Sequence, residues 1–292
     1  MIDLSSVRTG AVGLNLSVEE LNLFHAAREE QIDIENRYGE STHLYIYYPE
    51  GDGPYPVCFN LHGGGFVKGH RDQDTVFCRN ICQNSGYLVI DIDYRTAPER
   101  RYPYALHESY DAVKYMWDHA DDYQIDKTRM VMMGHSAGGN LTLGTSFLME
   151  KNREFELAGI ICEYPPTDLV KDPGDKRFGN DPTVRPPIPQ ARMYNDWYCD
   201  AELRSESTAS PFYASDEELA GLPQTLLITA GHDTLGEETE KLAYRMIEAG
   251  TTVTAKRVMG ADHGFTVRRK PGYEVAEKLI FAFLREIGGT GK

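Results

Sequence analysis

Short apolar runs rich in β-branched residues alternate along this chain with longer stretches whose apolar residues recur every three or four positions. The short runs predict buried strands, and the longer stretches predict amphipathic helices. Strands that alternate with helices in this way form a mostly parallel sheet with helices on its faces. The predicted strands cover residues 32–38, 42–48, 56–61, 87–92, 129–133, 157–162, 224–230 and 252–258, and the predicted helices cover 104–119, 137–150, 237–249 and 272–287.

The N-terminal part of the chain predicts a helix followed by a hairpin. Ser17 and Glu20 have the spacing of a capping box, and Leu21 and Phe24 would follow on one helical face. Gly39 and the residue after it then separate the first two predicted strands, which suits a tight turn between antiparallel neighbours.

Residues 171–189 break the regular alternation with seven charged side chains and five prolines. The next stretch, 191–203, is aromatic. An insertion at this point would lie over the carboxyl ends of the strands, where ligands bind in such sheets. A plain surface excursion is the alternative.

Composition and charge narrow the functional classes. A chain of 292 residues suits one domain of this type with an appended cap, and its net charge of −15 disfavours nucleic acid and acidic membrane surfaces as partners. No apolar run is long enough to be a signal peptide or to span a bilayer. The five cysteines are scattered and odd in number, which is typical of reduced thiols, so we expect a cytoplasmic protein.

Ser136 is the candidate nucleophile. It lies in Gly134-His-Ser-Ala-Gly138, between a predicted strand and a predicted helix. The two glycines permit a sharp turn that lifts the hydroxyl clear of the sheet. The turn also puts the serine at a helix N-terminus, where developing negative charge is favoured. A structural loop serine is the alternative.

A serine hydroxyl is a poor nucleophile until a base takes its proton. Folds with this strand–serine–helix turn carry the nucleophile, acid and histidine in that order, and only His232 and His263 follow Ser136. His263 lies in a loop between the last strand and the last helix, and it is the predicted base. A loop histidine with a purely structural role is the alternative.

The acid partner of that histidine is predicted to be Asp233. It comes directly after the strand at 224–230, where a side chain reaches the carboxyl edge of the sheet. Its carboxylate would fix the imidazole tautomer and stabilise the imidazolium. Glu237 and Glu238, a turn into the next helix, are the reserve candidates.

The glycine run His62-Gly-Gly-Gly-Phe66 follows the strand at 56–61 and matches the oxyanion loop of lipases and esterases. The predicted donors to a substrate oxyanion are the backbone N–H groups of Gly64, Gly65 and Ala137. A phosphate-cradling glycine loop is disfavoured because the Lys-Ser/Thr of such loops is absent.

These motifs together resemble the hormone-sensitive-lipase family of esterases in its bacterial form, from about residue 40 to the C-terminus. The matching residues are His62-Gly-Gly-Gly-Phe66, Asp93-Tyr-Arg-Thr-Ala-Pro-Glu99, Gly134-His-Ser-Ala-Gly-Gly-Asn140, Ser210-Pro211, Asp233 and His263-Gly-Phe265. One departure is Asp233-Thr-Leu235, where the family commonly has Asp-Pro-Leu.

The resemblance implies an α/β-hydrolase fold, a mostly parallel central sheet flanked by helices with an N-terminal helical cap. The expected division is a cap region at 1–30 and a catalytic domain at 31–292, with a lid insertion at about 171–205. The resemblance further implies activity on short-to-medium acyl esters, no metal, no cofactor, and a structural role for residues 93–99 beneath the oxyanion loop.

We therefore expect a serine carboxylesterase that acts on a small-molecule ester through an acyl-enzyme intermediate. Candidate pocket residues are Phe66, Trp197, Tyr198 and Phe265, for which core or lid packing is the alternative. A deacetylase of carbohydrates or another acyl hydrolase would use the same three groups. A non-catalytic receptor on this family fold is a further alternative, although such receptors lose the histidine and His263 is present. A homodimer is possible, because exposed edge strands in this fold often pair.

Overall fold

The computed structural model describes residues 3–9 and 16–289. The helices of these residues are α1 (Leu4–Thr9), α2 (Val18–Leu21), α3 (Asp72–Ser85), α4 (Tyr104–Asp118), α5 (Ala137–Asn152), α6 (Ile188–Tyr198), α7 (Asp216–Ala220), α8 (Gly236–Ala249) and α9 (Tyr273–Gly288). The strands are β1 (Arg28–Glu35), β2 (Ser41–Tyr48), β3 (Tyr55–Leu61), β4 (Leu88–Asp93), β5 (Ile125–His135), β6 (Gly159–Glu163), β7 (Gln224–His232) and β8 (Val253–Asp262).

These strands form one sheet in the order β1-β2-β4-β3-β5-β6-β7-β8. Strand β2 pairs antiparallel with β1 and β4, and all the other neighbours are parallel. The predicted mostly parallel sheet is therefore confirmed. The carboxyl ends of β3, β5, β7 and β8 consequently lie along one edge, so the loops that follow these strands can meet there.

Helices cover both faces of the sheet because successive side chains of a strand point to opposite sides. On β5, Met130 and Met132 pack into one apolar core with residues of α4, α5 and α8. Val131 and Met133 pack into a second core with residues of α3 and α9. Strands buried on both faces appear as continuous apolar runs, which is why the sequence reveals them clearly.

Two predictions for the N-terminal part were wrong. The capping box at Ser17 is present, but α2 ends at Leu21, so Phe24 does not continue its face. The first hairpin strand is Arg28–Glu35 rather than 32–38, because Asn36 closes the turn: its backbone N–H donates to the Glu40 carbonyl and its side-chain oxygen accepts from the N–H of residues 38 and 40.

Helices α1, α3, α6 and α7 have no counterpart among the predicted elements. The buried face of α3 includes polar Asp74 and Asn80 beside Cys78 and Cys82, so its apolar periodicity is weak. Helix α1 is held by Arg8, whose guanidinium donates to the carbonyl of Val67 at 2.9 Å and also pairs with Glu99 at 2.7 Å. These contacts fasten the chain's beginning to the loops after β3 and β4.

Candidate active site

Ser136 sits in a strained turn between β5 and α5. Its backbone has φ 56° and ψ −122°, a left-handed conformation that non-glycine residues seldom adopt. A Cβ on Gly134 would collide with the backbone of Gly138, and a Cβ on Gly138 would collide with the carbonyl of Leu61. Only glycine fits these two positions, so steric constraints explain both glycines of the motif around Ser136.

Three side chains from three strand ends form a continuous hydrogen-bonded chain. The Oγ of Ser136 lies 2.8 Å from Nε2 of His263, and Nδ1 of His263 lies 2.7 Å from Oδ2 of Asp233. Asp233 is buried, and its other oxygen accepts from the Leu235 backbone N–H at 3.1 Å. A carboxylate held in this way fixes the imidazole so that the unprotonated Nε2 faces the hydroxyl.

The reserve acids and the other late histidine point elsewhere. Glu237 pairs with Lys241 at 2.6 Å, and Glu238 forms a buried pair with Lys176 at 2.5 Å. His232 contacts two aspartates and not the serine. The structure thus brings only Asp233, of the three candidate acids, to the imidazole of His263.

The glycine run after β3 faces the serine turn. Gly64 and Gly65 have φ values of 131° and 63°, and in the described part of the chain their N–H groups donate to no protein acceptor. A Cβ on Gly63 would stand 2.9 Å from the His135 ring and 3.2 Å from the Ser136 Cβ. The loop therefore packs directly on the serine turn with two amides available to a ligand, and Ala137 starts the helix beside them.

The segment 93–99 supports this loop from below. The His62 ring stacks on Tyr94 with centroids 4.2 Å apart, and the Tyr94 hydroxyl donates to the His62 carbonyl at 2.8 Å. The N–H of Ala97 donates to the Phe66 carbonyl at 2.8 Å. Both ends of the glycine run are therefore fixed, which is the role that the resemblance implies for this segment.

A cavity of about 680 Å³ opens above Ser136 and His263. Val7 of α1, Tyr194 of α6 and Pro173 form part of its walls. Residues of the segment 171–205 therefore border the cavity above the carboxyl edge of the sheet.

Of the four candidate pocket residues, the cavity lining among the described residues contains only Phe66. Tyr198 lies behind it, with its ring stacked on Phe66 at 3.6 Å. Phe265 is buried against Tyr164, and Trp197 packs on the apolar core. Tyr198 and Phe265 are fully buried and Trp197 is partly buried, and none of the three contributes to the cavity lining.

A family model described as the alpha/beta hydrolase fold matches residues 58–267. The chain belongs to the α/β-hydrolase family. Its members include the hormone-sensitive-lipase-like carboxylesterases that the sequence motifs resemble. The predicted family is therefore confirmed. The matched segment begins in β3 and ends just after His263, so it spans the whole site.

Several relatives of this hydrolase are esterases. An arylesterase of Saccharolobus solfataricus is 29% identical over 252 residues, covering 84% of this chain and 79% of its own. An esterase structure from Pyrobaculum calidifontis superposes with a TM-score of 0.88 at 28% identity, covering 99% of this chain and 94% of its own. EstE1, a thermophilic carboxylesterase from a metagenomic library, gives a TM-score of 0.86 at 28% identity and 99% coverage of both chains. The chain is a carboxylic ester hydrolase.

The cavity of the hydrolase also contains a group of cations that the sequence analysis missed. Among the described residues its lining holds Lys68, Arg71, Lys176, Arg185 and Arg268, and no aspartate or glutamate. Burial, with the charges of Arg71 and Arg268, lowers the pKa of Lys68 to about 8. These residues are dispersed along the chain, so no local spacing could have signalled that they meet.

Glu163 is a second residue that sequence analysis overlooked. Its backbone carbonyl accepts from the Ser136 N–H at 2.8 Å, and its side chain is fully buried at the end of β6. Neither carboxyl oxygen has a hydrogen-bond partner within the described part of the hydrolase. Burial accordingly raises the pKa of Glu163 to about 8, so the group is mostly protonated at neutral pH.

Within residues 3–9 and 16–289 of the hydrolase, no three His, Cys, Asp or Glu side chains form a group that could hold a metal ion. Over the same ranges, no helix combines the length and apolarity needed to cross a membrane.

Proposed function

We propose that this carboxylesterase hydrolyses short-to-medium acyl esters through a catalytic triad of Ser136, His263 and Asp233. The observation that carries the proposal is the unbroken chain from the Ser136 hydroxyl through both nitrogens of His263 to Asp233, with links of 2.8 and 2.7 Å. An acidic partner, a base and an alcohol in this order constitute an activated nucleophile.

In the first half of the reaction, the Ser136 oxygen attacks the ester carbonyl while Nε2 of His263 takes the hydroxyl proton. The carbonyl oxygen becomes negatively charged and accepts hydrogen bonds from the N–H groups of Gly64, Gly65 and Ala137. His263 then gives its proton to the departing alcohol, the ester C–O bond breaks, and the acyl group remains on Ser136. Buried Asp233 stabilises the transient imidazolium.

In the second half, water replaces the alcohol. His263 removes a proton from the water as its oxygen attacks the acyl carbon, and the same amides hold the new oxyanion. When the intermediate collapses, the acid leaves and the proton returns to Ser136. One water is consumed, and one acid and one alcohol are released.

The size and covering of the cavity support a small substrate. About 680 Å³ is typical of sites that enclose a drug-sized molecule rather than a long polymer. We propose that the N-terminal region 1–30, through Ser6 and Val7, acts as a cap, and that the segment 171–205 acts as a lid over the domain 31–292. The parts of that cap at 1–2 and 10–15 lie outside the described residues.

We also propose the cytoplasm as the place of action. All five cysteines are free and buried, as Cys58, Cys78, Cys82, Cys162 and Cys199 pack in the two apolar cores. Free thiols in such number are typical of a reducing compartment. A homodimer through an edge strand stays a prediction.

The decisive experiment replaces Ser136 by alanine and measures hydrolysis of p-nitrophenyl esters of increasing acyl length, together with acetate release from acetylated sugars. We expect turnover to fall by roughly 10⁴-fold or more. Exposed Ser205→Ala is the matched control and should hydrolyse at the wild-type rate. A fluorophosphonate probe should label the wild type and Ser205→Ala but not Ser136→Ala. Equal labelling of all three proteins, or full activity without Ser136, would refute the triad.

A further inference from the structure

The cavity above Ser136 differs in charge from the rest of the molecule. The chain carries a net charge of −15, yet the described residues that line the cavity include five cations and no carboxylate. The residues outside the described ranges contain no aspartate or glutamate, so none of their side chains supplies the missing negative charge. An acidic protein has thus gathered positive charge at its candidate active site.

Two of these cations are already neutralised by protein groups. Arg71 lies 3.3 Å from Asp74 and also donates to the Gly63 carbonyl at 3.1 Å. Lys176 forms the buried pair with Glu238. The contacts of Arg71 and Lys176 within the protein therefore account for these two cations.

Arg185 is exposed and donates to the carbonyls of Pro182 and Val184, so water can solvate its charge. Lys68 and Arg268 are half-buried, and neither forms a salt bridge with any carboxylate of the described residues. The guanidinium of Arg268 donates to the carbonyls of His263 and Gly264, which leaves its charge uncompensated. The carboxylate of Asp262, next to His263 in the chain, is exposed and paired with His232. Within the described ranges, the Nζ of Lys68 faces the ring of Tyr194, 6.0 Å from the ring centroid.

These two cations flank the reacting groups. The backbone N–H of Lys68 donates to the Gly64 carbonyl at 3.1 Å, and a Cβ on Gly64 would stand 2.8 Å from the Lys68 Cβ. On the other side, a Cβ on Gly264 would collide with the Arg268 guanidinium, one residue after His263. Both side chains line the same cavity, together with Ser136 and His263.

Half-buried cations without counter-ions are costly, and proteins retain them where a ligand supplies the opposite charge. An arginine and a lysine together suit a carboxylate, which accepts several charge-assisted hydrogen bonds at once. We propose that the substrate is an ester that carries its own carboxylate near the scissile bond, bound by Lys68 and Arg268. This inference rests on the proposed hydrolysis at Ser136 and specifies the class of ester.

The carboxylate could belong to the acyl part or to the alcohol part of the ester, and two substrate pairs distinguish these sources. Mono-p-nitrophenyl adipate and its neutral primary amide place the charge in the acyl part. p-Butyryloxyphenylacetate and its neutral amide place it in the alcohol part. Within each pair only the charge changes, so the ratio of kcat/KM for the anion to that for the amide reports charge recognition.

We expect the wild-type ratio to exceed about ten in at least one pair at near-neutral pH. Lys68→Gln and Arg268→Gln should each lower the ratio by roughly ten-fold. Lys127→Gln removes one positive charge at the opposite end of β5, where Lys127 lies over Trp117, and should leave the ratio at its wild-type value. Because ratios are compared, a general loss of activity in a variant cancels.

A wild-type ratio near one in both pairs would overturn the inference without any variant being needed. A high ratio that survives both substitutions would also overturn it, since other groups would then bind the anion. Absence of turnover with the neutral amides as well as with the anions, under conditions where the protein is folded, would instead contradict the proposed esterase mechanism. The two failures are therefore distinguishable.

Discussion

His232 and Asp262, the last residues of β7 and β8, face each other with Nδ1 2.7 Å from Oδ1. Asp233 and His263 follow them directly in the chain and form the next pair. Two successive acid–histidine pairs, reversed in order, therefore join the loops that hold the proposed acid and base. The second nitrogen of His232 lies 3.0 Å from Asp181, so the same imidazole also fastens the segment 171–205. Both aspartates raise the pKa of His232 above its usual value.

Replacing His232 by glutamine should lower the stability of the protein in a pH-dependent way, because the ion pairs with Asp181 and Asp262 are lost. Because the folded-state pKa is raised, the pairs stabilise the protein fully below the ordinary histidine pKa and lose that contribution as the pH rises through the raised value. We expect the melting temperature of the variant to lie below that of the wild type at about pH 6 and to approach it at about pH 9. His25→Gln, at an exposed position, is the control. A deficit that grows with pH would contradict this assignment.

Replacing Asp233 by asparagine should reduce kcat by roughly 10³–10⁴-fold, because an amide at this position would favour the wrong tautomer of His263. Glu237→Gln makes the same chemical change on an exposed carboxylate that pairs with Lys241, and it should retain nearly all activity. Steady-state kinetics on one p-nitrophenyl ester compares the two. If the glutamate variant were the more damaged, the acid would have been assigned to the wrong residue.

Replacing Gly64 by alanine should lower kcat by roughly 10²–10³-fold, the usual consequence of losing an oxyanion donor. At a φ of 131° an alanine is strained, so the loop must shift and its amide must leave its present direction. Gly39→Ala is a matched control because Gly39 also has a positive φ, 71°, but a Cβ there meets no atom within 4 Å. It should cost about 1 kcal/mol of stability without altering kcat. Equal kcat values for both variants would disprove the role of Gly64.

Replacing Glu163 by glutamine should stabilise the protein increasingly as the pH rises. The folded-state pKa of about 8 exceeds the ordinary value of 4.5, so the wild type binds a proton that the unfolded chain releases, and its stability falls between about pH 5 and pH 8. An amide cannot ionise, so the variant should gain roughly 3–4 kcal/mol over the wild type between these pH values. Denaturant unfolding measures the difference, with exposed Glu156→Gln as control. A constant difference at all pH values would mean that Glu163 does not titrate in this range.

The preference for anionic esters should weaken at alkaline pH. Lys68, with a pKa of about 8, is charged below that pH and loses its proton above it, so the ratio of anionic to neutral kcat/KM should drop between about pH 7 and pH 9. Arginine does not deprotonate in this range. Lys68→Arg should therefore keep the ratio nearly level across the same interval. Parallel profiles for wild type and variant would indicate that Lys68 takes no part in binding the charge.

The fold was predictable where burial is continuous. Strands β3 to β7 are covered on both faces, so their apolar runs stand out, and most predicted bounds differ from the observed ones by one or two residues. Helix α3 was missed because its buried Asp74 is matched by Arg71 and His135, contacts that no local pattern reveals. Helix α1 depends on Arg8 reaching residues far along the chain.

The site was predictable only as far as local geometry determines it. The glycines around Ser136 and the position of His263 after the last strand follow from turn sterics and chain order, and both residues lie where that reasoning expects them. Asp233 was favoured over Glu238 by its position directly after a strand, whereas the buried pairing of Glu238 with Lys176 joins distant residues and has no local signal. Lys68 and Arg268 come together in the cavity through packing between distant loops, so their spacing in the sequence could not predict this arrangement.

The contact between Gly138 and the Leu61 carbonyl has a consequence for how such an enzyme can diversify. Because no side chain fits between the start of α5 and the end of β3, a change in the position of one of these elements would displace the other. We therefore expect changes in substrate preference to arise among cavity-lining residues away from this contact, such as those of α1 and α6, where side chains can be exchanged while the reactive centre keeps its shape.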